Sequence, residues 1–197
     1  KDGELLEYGA HLVPEGGLLS HVAVFDLPGR DSPLLMSDGA IVTAMGPAAK
    51  AAVVLNAVGV ARSLGIMTPR IGLVAAVEKP TDHLPSTRDA ETLCSDPAAW
   101  GLDGLVMDGP FGLDVALSAA AAETKGIGGQ VAGRADVLIM PCLDAGNVFY
   151  KTLTTLMGAE VAAVVAGARV PAVLTSRADS EDCKYLSLLL ALAGAGT

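Results

Sequence analysis

Within the run GRADVLIMPCLDAGNVFYK (133–151), Asn147, Tyr150 and Lys151 are spaced i, i+3 and i+4. On a helix that spacing brings all three near one face. Lys151 can neutralise a phosphate as a point charge, and Asn147 can hydrogen-bond a carbonyl or an amide. Gly146, just before them, permits close approach of a ligand and serves an ordinary turn equally well. A second cluster lies in VPAVLTSRADS (170–180), where Ser176 and Arg177 follow an apolar run. A helix opening there would expose unpaired N–H groups and partial positive charge, and Arg177 could add a bidentate contact to an anion. Asp179, Glu181 and Asp182 come next and are candidate general bases for a proton such as that of a thiol. Each cluster also has a plain reading: an amphipathic helix with a polar rim, a serine cap beside a solvated arginine, and acids that favour the first turn of a helix.

The elements that must carry these residues are short. Apolar runs at 18–25 and 33–37 predict two strands joined by the turn Pro28-Gly29-Arg30-Asp31. Pro47 to Leu64 predicts a mostly buried helix, with Pro47 at a first helical position and Gly65 as the stop. Further strands are expected at 71–77, 104–107, 137–140, 161–166 and 171–175. Ser86-Thr87-Arg88-Asp89 resembles a helix start with a hydroxyl cap and an early acid. Another helix is expected over about 113–124 after the turn Asp108-Gly109-Pro110, with two more after Ala145 and after Asp179. Short apolar strands alternating with helices indicate an α/β fold, a mainly parallel sheet with helices on both faces.

In such sheets ligands gather beyond the carboxyl ends of the strands. That rule collects Asp38, Glu78-Lys79, Asp108 to Pro110, Pro141 to Asn147 and Ser176-Arg177.

Composition narrows the function. With 51% hydrophobic and 4% aromatic residues, the core is built from Ala, Val, Leu and Ile. A formal net charge of −9 argues against nucleic-acid binding, so an anionic substrate must be held by a few placed groups. Cys94, Cys142 and Cys183 are odd in number and form no C-x-x-C, which points to a reducing, cytoplasmic setting. No apolar run reaches the roughly 20 residues that span a bilayer, so no membrane partner is expected. His11, His21 and His83 lack metal-ligand spacing and are read as structural, with no metal site. There is neither a G-x-x-x-x-G-K-[ST] nor a G-x-S-x-G motif, and GIGGQ at 126–130 reads as a loop.

The chain resembles the phosphate acetyltransferase and phosphate butyryltransferase family. The matching segments are LLSHVAVF (18–25), SDGA (37–40), P-x-x-K (47–50), NAVGVARSLGI (56–66), AVEKPTDHLPSTRDA (76–90) and DGPFGLD (108–114), with DAGNVFYK (144–151) and TSRADS (175–180) the strongest. The resemblance runs in one order over nearly the whole chain after about Leu18. It implies an architecture of the isocitrate/isopropylmalate dehydrogenase type. It also implies reversible transfer of a short acyl group, acetyl or butyryl, between acyl phosphate and coenzyme A. Coenzyme A is then a substrate; no bound cofactor or metal is implied, and the assembly is a homodimer. Carried onto this chain, Ser176 and Arg177 would bind phosphate and polarise the carbonyl. Asn147 and Lys151 would line the same cleft, with Tyr150 supporting its wall. Asp179 or Asp182 would be the base.

Three departures shape what is expected of the 197 residues. Family members carry a further N-terminal α/β segment, an Arg-Thr-Gly type insertion where this chain runs Gly17-Leu18, and often an Asn after SDGA where this chain has Val42 and Thr43. The chain is therefore expected to be the C-terminal major part of a phosphate acyltransferase with no legible internal boundary, or a member with altered activity. Two readings compete with acyl transfer. One is a non-catalytic coenzyme A or acyl-phosphate binding module. The other is a metal-dependent dehydrogenase, which would need Asp108, Asp136 and Asp144 clustered at strand ends.

Overall fold

The structure, a computed structural model, describes residues 12–175 and 179–194. Six strands form one sheet: β1 (Ser20–Asp26), β2 (Leu34–Ser37), β3 (Arg70–Val74), β4 (Val106–Phe111), β5 (Val137–Ile139) and β6 (Glu160–Ala166). Their order is β4-β3-β5-β2-β1-β6. The first four are parallel neighbours, while β1 runs antiparallel to both β2 and β6. The sheet is thus mainly parallel, as the alternating pattern predicts.

Side-chain alternation along each strand divides the core in two. Val22, Leu35, Ile71, Val137 and Ile139 face one layer, built from α1 (Pro47–Ser63) and α2 (Pro85–Ser95). Ala23, Phe25, Leu34, Met36 and Leu138 face the other, built from α3 (Leu113–Leu117), α4 (Ala119–Thr124) and α5 (Leu143–Lys151). The last helix, α6 (Glu181–Gly194), packs along β6 and gives Cys183 to one layer and Leu190 to the other, so it wraps that edge.

α1 forms where the spacing requires. Its buried residues include Lys50, Val54, Ala57, Val58 and Ala61, an i, i+4, i+7, i+8, i+11 series that keeps one stripe on the sheet. Pro47 opens it, and Gly65 at φ 85° closes it. Lys50 is buried with Asp89 of α2 at 2.5 Å, so the two motifs P-x-x-K and STRDA are halves of one ion pair. Lys50→Ala would strand Asp89, whose side chain is only 15% exposed, and is expected to lower unfolding free energy by about 3 kcal/mol. The paired variant Lys50→Met/Asp89→Leu should recover most of that loss in urea denaturation.

The structure corrects several expectations. Residues 171–175 form no strand, only an isolated Val165–Ala172 bridge, because Pro171 has no N–H for a ladder against edge strand β6. Asp108-Gly109-Pro110 is not a turn but the middle of β4. Gly109 lies at φ 153°, where an added Cβ would sit 2.8 Å from Leu73 Cβ, so only glycine continues the strand there. The helix over 113–124 is two, broken at Ser118, which turns extended and takes the Ala121 N–H on its hydroxyl. α2 has no hydroxyl cap. It opens on Pro85, which has no N–H to satisfy, and Thr87 is buried instead with its Oγ1 donating to Leu84 O and accepting from Thr81 N. Asp89 serves Lys50 rather than the helix dipole.

Candidate functional site

The carboxyl ends of β2 and β5 lie side by side, and the antiparallel strand β1 brings its first residues to the same edge. Asp38, the first residue beyond β2, is fully buried. Its Oδ1 accepts from the backbone N–H of Ala40 (2.6 Å) and Ile41 (2.7 Å), and its Oδ2 from that of His21 (2.5 Å). The carboxylate therefore pins the SDGA turn to β1.

α5 begins after β5 and comes down on this turn. Gly146 touches the Asp38–Gly39 backbone so closely that an added Cβ would meet Gly39 Cα at 2.9 Å. Asn147 Nδ2 donates to Gly39 O at 3.0 Å. The hydrogen bond expected of Asn147 is thus made with a backbone carbonyl of the turn.

Asn147, Tyr150 and Lys151 do not share one surface. Tyr150 turns inward, 6% exposed, with its ring edge-on to His21 (5.8 Å between centroids) and Phe25 (5.6 Å). Burial raises its hydroxyl above the usual phenol range, helped by the charge of Asp179. Lys151 stays exposed, with Nζ 5.1 Å from the centre of the Tyr150 ring. Tyr150 is therefore the back wall against which the lysine stands.

Lys151, Asp179, Ser180 and Asp182 line a common cavity of 330 Å³, with Thr154 and Thr155 beside them and Val161, Cys183 and Leu186 as its apolar part. Thr154 and Thr155 belong to a π-helical turn, Thr152–Leu156, that extends α5 and re-aims the chain after Lys151. Asp179 is half-buried against Tyr150 and Cys183, whereas Asp182 is exposed on α6. Burial and the Asp179 carboxylate both push the Cys183 thiol up, so it stays protonated. Ser176 and Arg177 lie outside the described residues. The carboxylates that follow them and the lysine of α5 are brought to one cavity.

Two other carboxylates, Glu78 of the strand-end set and Asp136 of the dehydrogenase reading, are engaged elsewhere. Glu78, after β3, is held below the usual carboxylate range by Lys125, which also binds Asp114 at 3.0 Å. Asp136 takes the Arg70 guanidinium through both oxygens, at 2.7 and 2.8 Å, near the amino ends of β5 and β3. It is thereby removed from any cluster with Asp108 and Asp144. Among the described residues no group of three or more His, Cys, Asp or Glu is arranged to hold a metal, and no helix is long and apolar enough to cross a membrane.

His21 is the residue that sequence spacing passed over. The signal was present in the hairpin. A turn centred on Gly29-Arg30 pairs Ala23 with Met36, and the same register carries His21 to Asp38.

A sequence model of the family described as "Phosphate acetyl/butaryl transferase" matches residues 10–192. Phosphate butyryltransferase of Clostridium acetobutylicum is 42% identical over 181 residues, 92% of this chain and 60% of that relative. Phosphate acetyltransferase of Rhizobium meliloti is 42% identical over 173 residues, 88% of this chain and 55% of that relative. The chain thus spans little more than half the length of these relatives. Among solved structures, a branched-chain phosphotransacylase from Enterococcus faecalis superposes with a TM-score of 0.85 at 34% identity, covering 99% of this chain and 71% of that one.

Proposed function

This chain belongs to the phosphate acetyl/butaryl transferase family, and on that premise we propose that it carries out reversible transfer of a short acyl group, acetyl or butyryl, between acyl phosphate and coenzyme A. The observation that carries the proposal is the cavity that Lys151 shares with Asp179 and Asp182, the two carboxylates that follow Ser176-Arg177 in the chain. In an acidic protein, a cation and two candidate bases in one cavity suit an anionic substrate, and the sequence carries the predicted phosphate-binding pair just ahead of Asp179.

The chemistry needs little more. The coenzyme A thiol gives its proton to a carboxylate, Asp179 or Asp182, as sulfur bonds to the acyl carbonyl carbon. The C–O bond to phosphate then breaks, and phosphate leaves with its electron pair. Ser176 and Arg177 hold the phosphoryl group and polarise the carbonyl, while Lys151 offsets charge on the departing phosphate. Rate comes from positioning two anions and stabilising developing charge, so no acyl-enzyme is required. Asn147 and Gly146 fix the turn beside the cleft, and Tyr150 backs Lys151. Coenzyme A acts as a substrate, and the protein works in the cytoplasm as a homodimer. The three unpaired cysteines agree with a reducing compartment.

The test is thioester formation from acetyl or butyryl phosphate and coenzyme A by the purified protein. Turnover is expected for the parent, and Arg177→Ala should lower it by about a hundredfold. Of Asp179→Asn and Asp182→Asn, the one that removes the base should lower kcat with little change in KM. Binding of both substrates without thioester formation would replace this reading with that of a binding module.

A further inference from the structure

His21 has no assigned part in the site, yet its surroundings are unusual. The side chain is 5% exposed, and Nδ1 has no hydrogen-bond partner among the described residues. Its main chain is held on both sides: the N–H donates to Asp38, and the carbonyl accepts from Ser37 Oγ at 2.9 Å. The ring projects into the α5 layer and meets Tyr150 edge-on. Three charged groups act on it: Asp38 at the end of β2, Lys151 at the end of α5 and Asp179 ahead of α6. Two of these line the cavity. A buried polar atom without a partner is uncommon and calls for an explanation.

We infer that His21 is a positioning residue for the acyl-transfer site, its buried imidazole packed behind Tyr150 so that it sets the Tyr150–Lys151 wall of the cavity shared with Asp179. This rests on the acyl-transfer reading and adds a residue and a pH dependence to it. A neutral ring supports the wall without competing for the lysine's anion. Burial holds the imidazole below its ordinary pKa, against the upward pull of Asp38 and Asp179 and with a smaller downward push from Lys151. Below that lowered pKa the ring gains a positive charge. The charge then attracts the Asp179 carboxylate and repels Lys151.

Stability follows the same sign. Between the lowered folded value and about 6.5 the unfolded chain binds a proton that the folded chain does not. Folding stability should therefore decline as pH falls through that window, and the His21-dependent part should vanish in a variant without the imidazole.

The experiment compares the parent protein with His21→Phe and His21→Gln in thioester formation across pH, alongside urea denaturation. His21→Phe is expected to lower kcat about tenfold with each KM changed less than about twofold, because the wall shifts while the binding groups remain. His21→Gln, polar but unable to titrate, should restore much of kcat and carry activity to lower pH than the parent. Parent-like kcat and pH profiles in both variants would overturn the inference, as would losses that simply track stability. Should His21→Phe fail to fold, the acid limb of His21→Gln decides alone. A further readout needs no variant: the His21 ring resonances of the parent should shift on saturation with inorganic phosphate, and unmoved resonances count against the inference. A parent without turnover would instead remove the acyl-transfer reading, leaving the phosphate titration to judge His21 by itself.

Discussion

Asp38→Ala is expected to lower unfolding free energy by about 4 kcal/mol, because three backbone N–H groups lose their acceptor together. They do not lose equally. The His21 N–H sits in the buried end of β1 and has no route to water, while those of Ala40 and Ile41 lie in a partly exposed turn and can be rehydrated. Asp38→Asn separates the contributions. One amide oxygen can still serve either the turn or His21, but the amide NH2 must then face an N–H donor on the other side. Its cost should be intermediate, about 2 kcal/mol. The effect on turnover should exceed the effect on folding. The turn that Asp38 holds also presents the Gly39 carbonyl to Asn147, so α5 loses an anchor one helical turn before Lys151. Urea denaturation gives the first quantity. Thioester formation at a urea-free temperature where the variant remains folded gives the second. Unchanged stability in Asp38→Ala would mean the carboxylate does not hold the turn.

The Asp38 example shows which parts of the site a sequence can reveal. Strand ends were legible because the apolar runs at 18–25 and 33–37 and the turn between them set a register, and that register alone carries His21 to Asp38. The parallel sheet was legible for the same reason, since apolar runs alternate with helical ones. Boundaries decided by a competing hydrogen bond were not. Ser118 breaks a helix because its hydroxyl captures a nearby N–H, and Thr87 sits inside α2 because its hydroxyl serves the preceding loop. Nothing in the spacing of either residue distinguishes those outcomes from a continuous helix or a cap. Tyr150 shows a subtler limit. Its i+3 relation to Asn147 places it near that residue on the helix, but the helix rolls so that Tyr150 enters the core beside Phe25. A helical face is fixed by what packs beneath it, and here that is β1, far away in sequence. The pairing of Lys50 with Asp89 was invisible for a similar reason, as it depends on how α1 and α2 lie across the sheet.

Gly146→Val should be the most damaging single substitution on α5, with loss of more than about 3 kcal/mol in stability and near-complete loss of turnover. An added Cβ would penetrate the Asp38 carbonyl oxygen and stand only 2.9 Å from Gly39 Cα and 3.0 Å from the Asp38 carbonyl carbon. These are backbone atoms, so no rotamer change relieves the contact. The Asp38 carboxylate holds that backbone from the other side, so the turn cannot retreat without breaking its own hydrogen bonds. What must move is α5, and with it Asn147, Tyr150 and Lys151. Gly146→Ala already places the offending atom and should share most of the loss, with Val adding bulk. Gly59 on the exposed side of α1 is the control, because a Cβ there meets nothing within 4 Å. Gly59→Ala is expected to leave turnover unchanged and to stabilise by up to about 1 kcal/mol through helix propensity. If Gly146→Ala instead behaves like Gly59→Ala in both denaturation and turnover, the close seat of α5 on the Asp38–Gly39 turn is not what positions Lys151.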